Sequence, residues 1–153
     1  MMAEAGYSVD FVGSLCGVYE NDPLTSDCLP WDDEHEGHYG YRADQILANI
    51  TVWAQMAQPD VVLIHLGHND LWYHQSIEST IAELEGIIDK LRAVNGSVKI
   101  LLAKLIPASL GGELDRIPLL NAQIPGVAAR KNSAASPVWV EMVRLSWLKR
   151  SSV

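Results

Sequence analysis

Gly67-His68-Asn69-Asp70 follows directly on the apolar run Val61-Val62-Leu63-Ile64-His65-Leu66. A β-branched run that stops at a glycine reads as a buried parallel strand. Such a strand delivers polar side chains to the carboxyl edge of a sheet, where ligands bind in α/β folds. There Gly67 would let a substrate approach the backbone, and the Asn69 amide would donate to an oxyanion formed during reaction. The plainer assignment is a strand-ending turn, with Asp70 capping or bracing the next segment. A second cluster, Glu36-Gly37-His38-Tyr39-Gly40-Tyr41-Arg42, runs into a predicted helix. Gly40 stands just before that helix, where a free N–H can point at an anion. A glycine N–H and an Asn amide make a pair of oxyanion donors; alternatively Gly37 and Gly40 only shape a turn.

Metal chemistry has its own candidates. Asp32-Asp33-Glu34-His35-Glu36-Gly37-His38 is dense in ligand types, and His65 and His68 repeat the His-x-x-His spacing. On a strand, positions three apart face opposite sides, so His65 and His68 do not converge if the strand continues through His68. His35 and His38 lie in a loop, where spacing carries little weight, and the acidic residues are expected to solvate that loop. The expectation is therefore no metal and no cofactor, with a His35/His38 metal-dependent hydrolase kept as an alternative. His65, inside an apolar run, is expected as a hydrogen-bonded core residue. His74 is expected at a helix start or on the surface.

The chain has 153 residues, which suits one domain with a sizeable core. A net charge of −8 with scattered basic residues argues against a nucleic-acid partner. Cys16 and Cys28 are too few for a disulfide framework or a thiolate zinc site, and they are compatible with one disulfide or two thiols. No run approaches a membrane span, so no membrane partner is expected; Ile100 to Ile106 is short and broken by Lys104. The opening Met1-Met2-Ala3-Glu4 has no basic start and no apolar region. The chain as given is thus expected in the cytoplasm, while residues preceding Met1 would reopen a secreted origin.

The elements that must position these residues alternate. Strands are predicted at Tyr7–Leu15, Asp60–Leu66, Val98–Ile106 and Pro137–Val143, the second and third buried on both faces. A helix over Ala43–Ala57 carries the stripe Ile46, Leu47, Ile50 and Trp53, and Pro59 ends it. A second over Ser76–Val94 carries Ile77, Ile81, Leu84, Ile88 and Leu91, closed by Asn95-Gly96. A third segment, Leu114–Arg130, is expected to be interrupted by Pro118 and Pro125. The class is α/β with a mostly parallel sheet. Gly17–Tyr39 is one long polar loop, of a length that is usually functional or mobile.

Three blocks together resemble the SGNH hydrolases, also called GDSL-type esterases and lipases. They are Val9-Asp10-Phe11-Val12-Gly13-Ser14, Glu36-Gly37-His38-Tyr39-Gly40-Tyr41 and Gly67-His68-Asn69-Asp70. The resemblance to the acetylxylan-esterase-like branch covers roughly residues 5–140 in order, and Leu119-Leu120-Asn121-Ala122-Gln123-Ile124-Pro125-Gly126 adds to it. It implies an ester hydrolase with a three-layer flavodoxin-like fold of strand order 2-1-3-4-5. It also implies that Gly40 and Asn69 are oxyanion donors beside a serine N–H, the serine lying in a Gly-Asp-Ser block. A late Asp-x-x-His block would supply the base and its orienter.

Two blocks are absent: the chain holds no Gly-Asp-Ser, and no His follows His74. This suggests a single SGNH-like domain over residues 1–153, shortened at both ends and lacking its first strand. The expected function is a carboxylic ester hydrolase for small acyl or acetyl esters, weak or inactive without the usual Ser and His. Ser14 with His38 or His68 is a candidate surrogate dyad, although Ser14 falls at a family loop position with no catalytic role. From a different class, the alternative is a non-catalytic α/β binding or assembly module. Without the first strand, the segments Tyr7–Leu15 and Asp60–Leu66 are expected either to close up or to recruit a second chain, a homo-oligomer completing the sheet.

Overall fold

A computed structural model describes residues 8–17, 31–107 and 112–141. Cys28 and the predicted strand ends at Tyr7, Met142 and Val143 lie outside them. Helix α1 is Ala43–Ala57, strand β1 Val61–Ile64, helix α2 His68–Trp72 and helix α3 Ile77–Val94. Strand β2 is Lys99–Ala103, a short 3₁₀ helix covers Gly112–Arg116, helix α4 is Ile117–Lys131 and strand β3 is Val138–Glu141. The strands form one all-parallel sheet in the order β1-β2-β3, with Val61 beside Lys99 and Ile100 beside Val138.

The helices begin and end where the local chemistry requires. The Ser76 hydroxyl accepts the Ser79 N–H at 3.0 Å and opens α3. Gln58 turns left-handed at φ 48° after α1, its N–H on Ala54 O, and Pro59 follows. Helix α4 runs unbroken through both prolines, correcting the expected interruption. Pro118 falls in the first turn, where no N–H is needed, and Ile117, Leu120, Ile124 and Val127 are buried along the helix. Packing of that face outweighs the hydrogen bond forfeited at Pro125.

One face of the sheet carries Ile64, Ile100, Leu102 and Val138 into a core shared with Ile81, Leu84, Ile88, Leu91, Leu120 and Ile124. Each such side chain contributes about 1.5–3 kcal/mol on burial. Arg92, in the last turn of α3, anchors this layer to the approach to β3. Its Nε donates to Ser136 Oγ at 2.9 Å, and its Nη2 donates to the carbonyls of Ser136 and Lys131.

The opposite face is open at β1: Val61 is 54% and Leu63 68% exposed. Strand β1 is thus not buried on both faces as expected, and Trp139 on β3 is half exposed too. Residues 8–15 also depart from expectation. They form no strand, and Leu15 makes an isolated antiparallel bridge with His35. Carboxylates take the N–H groups that a ladder would have used. Asp32 accepts Phe11 N–H at 2.9 and 3.0 Å, and Glu36 Oε2 accepts Ser14 N–H at 2.9 Å. The acidic loop therefore clasps this segment instead of solvating itself. Among the described residues the two segments do not close up, and β1 pairs with β2 alone.

Candidate active site

The cavity at the carboxyl end of β1 has a volume of about 190 Å³. Its lining includes Glu36, His38, Tyr41, His65, His68 and Asn69. Two loops distant in sequence meet there because consecutive residues fasten them. Asn69 Nδ2 donates to Tyr41 O at 2.9 Å. Asp70 accepts the Ala43 N–H, with Oδ1 at 3.0 Å and Oδ2 at 3.2 Å. Asp70 thereby caps α1 from outside the helix, bracing a preceding segment and not the next one as expected. Its side chain is wholly buried, and burial pushes its carboxyl above the ordinary range while the Ala43 N–H opposes that rise.

Gly67 makes the turn possible. Its φ is +128°, and a Cβ there would lie 2.6 Å from Leu120 Cδ2 and 3.3 Å from Leu105 Cδ1. The strand ends at Ile64, three residues before that turn, so His65 and His68 are no longer on one strand. Their rings meet edge to face with centroids 5.3 Å apart. His65 is exposed, not a core residue, and lies just past β1, next to the exposed Leu63 side of the sheet. Partial burial lowers its affinity for a proton, and the neighbouring His68 lowers it further. His68 is held by Nε2 against Ile106 O at 3.0 Å. His74 lies on the surface, as foreseen.

Asn121 escaped the sequence reading, although its block was noted. Its Oδ1 accepts the Leu105 N–H at 2.7 Å and its Nδ2 donates to Leu105 O at 2.9 Å. A side-chain amide thus replaces a strand neighbour just beyond β2 and fixes the 105–106 backbone against which Gly67 and His68 rest. An Asn on a buried helix flank was the available signal, because a carboxamide there needs a backbone partner.

Ser14, His38 and Glu36 come together with the carboxylate in the middle. Ser14 Oγ donates to Glu36 Oε1 at 2.7 Å, and His38 Nε2 contacts the same oxygen at 2.6 Å. The His38 ring stacks on Trp53 at 4.1 Å and on Tyr41 at 4.9 Å. Ser14 and His38 are therefore joined through Glu36 and not to each other, and His68 faces Ile106 instead. Gly40 is exposed at φ +78°, with open space where a Cβ would stand, one residue before the carbonyl that holds Asn69. His35 uses Nε2 at Gly17 O and Nδ1 at Gly37 N–H, so neither nitrogen is presented to a metal. Among the described residues no group of three or more His, Cys, Asp and Glu side chains could hold a metal ion. This counts against the His35/His38 metal hydrolase. Cys16 is disulfide-bonded.

The family described as GDSL-like lipase/acylhydrolase matches residues 11–149. Among solved structures, a carbohydrate esterase family 3 protein from Talaromyces cellulolyticus is 35% identical, with a TM-score of 0.79. The alignment covers 92% of this chain and 68% of that one. An acetyl esterase mutant with an acetate ion is 34% identical, with a TM-score of 0.80 and the same two coverages, 92% and 68%. A protein named endoglucanase X in Acetivibrio thermocellus is 31% identical over 102 residues, 67% of this chain. The chain spans 42% of that relative's length. No helix among the described residues is long and apolar enough to cross a membrane.

Proposed function

This chain belongs to the GDSL-like lipase/acylhydrolase family, and from that premise we propose that it is an esterase-type hydrolase scaffold that receives small acyl or acetyl esters and turns them over slowly. One observation carries the proposal: the Asn69 amide is fastened to Tyr41 O at the wall of the cavity. One N–H of that amide is spent on orientation, and the other is left to meet a carbonyl oxygen as it gains charge. The Gly40 N–H is assigned as its partner donor, supported by its place one residue before the Tyr41 carbonyl that holds Asn69. The acetyl preference is supported by the likeness to an acetyl esterase with bound acetate.

Slow turnover follows from the protonation chemistry. Ser14 Oγ donates to the Glu36 carboxylate and not to an imidazole, so no histidine is placed to take the serine proton. Catalysis then rests on the oxyanion donors and binding: a water oxygen bonds to the acyl carbon, the acyl C–O bond to the alcohol breaks, and the water's proton passes to the departing alcohol or to solvent. The same Ser14–Glu36 contact favours the second reading, a binding module that holds an acyl group without cleaving it.

Hydrolysis of p-nitrophenyl acetate tests this. The expected result is slow release that falls at least about tenfold in Asn69→Ala, is unchanged in Ser14→Ala, and leaves no residue labelled by a fluorophosphonate. A label mapped to Ser14 overturns the water mechanism. Absence of turnover, with acetate still shifting the NMR signals of Asn69, selects the binding module.

A further inference from the structure

Two asparagines stand in the Asn-x-Ser/Thr pattern that is glycosylated in exported chains: Asn49-Ile50-Thr51 and Asn95-Gly96-Ser97. The pattern is the same in both, and the fold separates them. Asn95 is built into the frame. It ends α3 and is half-buried. Its Nδ2 donates to Pro59 O at 3.0 Å, which ties the end of α3 to the link between α1 and β1. Its Oδ1 accepts the Ser97 N–H at 3.0 Å and the Ser97 hydroxyl at 2.9 Å. A sugar on Nδ2 would have to enter between Asn95 and Pro59, and the hydroxyl of the pattern is itself engaged.

Asn49 is the opposite case. It lies in α1 off the buried stripe of Ile46, Ile50 and Ala54, and it is exposed. Among the described residues its Nδ2 makes one hydrogen bond, to Gln45 O in the preceding turn, at 2.9 Å. A carboxamide nitrogen carries two N–H groups, so one can be replaced by a sugar while the other keeps that contact. Val52 follows three residues on, on the same side of the helix, and is 58% exposed. It offers the first sugar an apolar floor. The redox state points to the same compartment. Cys16 is disulfide-bonded. Disulfides persist where chains are exported, which is also where asparagines are glycosylated.

We propose that Asn49 is an N-glycan acceptor and that Asn95 is not. The donor is an oligosaccharide carried on a lipid diphosphate. Its anomeric carbon bonds to Asn49 Nδ2, the lipid diphosphate leaves with the electron pair of the broken bond, and Nδ2 releases one proton. Transfer meets the chain before it folds, so the fold is the filter. It accepts a glycan at position 49, on the outside of α1, and rejects one at position 95, where Pro59 stands.

The test is to produce the full chain behind a cleavable secretion signal in yeast. The folded protein is recovered from the medium or from the membranes, treated with endoglycosidase H and mapped by mass spectrometry. The expected result is one residual N-acetylglucosamine, on the Asn49 peptide. Asn49→Gln and Thr51→Ala should each abolish it, and both leave the buried stripe of α1 untouched. Asn95→Asp keeps the oxygen that Ser97 uses and should leave the mark unchanged. A folded chain without any glycan overturns the proposal. So does a mark on Asn95 of the folded chain, or one that survives Asn49→Gln.

Discussion

Asp70 holds the backbone N–H of Ala43 with both carboxylate oxygens, although 27 positions separate the two residues. The first turn of α1 and the short helix α2 after β1 are therefore fastened together. Asp70→Ala should leave a buried N–H unpaired and cost about 1–3 kcal/mol in urea unfolding. Asp70→Asn keeps an acceptor for Ala43 and should cost less.

The same carboxyl sets a pH dependence. Its affinity for a proton is raised in the folded state, chiefly by burial. The folded chain therefore holds that proton at pH values where the unfolded chain has lost it. Stability from Asp70 is full at low pH and is lost as the pH rises from the ordinary carboxylate range through the elevated folded value. The Tm of Asp70→Asn should accordingly gain on that of the wild type as the pH is raised above about 4, over the interval up to the elevated folded value. A constant difference across that interval contradicts the assignment.

Gly67→Ala should be among the most costly small substitutions in the chain. It imposes both a positive φ on an alanine and a methyl 2.6 Å from Leu120. The expected loss is about 2–5 kcal/mol, read from the midpoint of chemical denaturation. Gly40→Ala meets no atom within 4 Å and should lose only the backbone part, about 1 kcal/mol.

His65 should titrate below the ordinary histidine range, because burial and then the His68 charge disfavour its protonated form. In His68→Ala its midpoint, followed by the ring carbon-bound proton in NMR, should move up. An unchanged midpoint would show that the ring contact carries no electrostatic coupling.

Asn121→Leu should expose how the site is supported. Both hydrogen bonds to Leu105 vanish, leaving a buried N–H and C=O, at a cost of about 2–4 kcal/mol. Hydrogen exchange should quicken at Leu105. Asn121→Asp restores the acceptor alone and should recover part of the loss.

Where periodicity and caps coincide, the sequence was explicit. The stripe from Ile46 to Trp53 ends at Pro59, and α1 occupies Ala43–Ala57 as read. Ser76 and Asn95 bracket α3 as read. The parallel sheet also followed from the alternation of elements. The failures share a cause: each depended on what a neighbour supplies. Val9, Phe11 and Val12 have strand composition, but Asp32 and Glu36 satisfy the backbone of that segment. His65 sits in an apolar run, yet β1 has an open face. Pro125 breaks a helix in isolation and not one pressed into a core. In the site, Asn69 was legible because its residue type and place after a glycine are informative. The Ser14–Glu36–His38 order was not, because it depends on which of two partners Glu36 stands between.

Two independent demands meet at Gly67, one from its own backbone and one from a neighbouring helix. Shortening Leu120 would remove the collision and leave the positive φ untouched. No single compensating change elsewhere can therefore license a side chain there. In evolutionary terms position 67 is closed to drift, whatever Leu120 becomes.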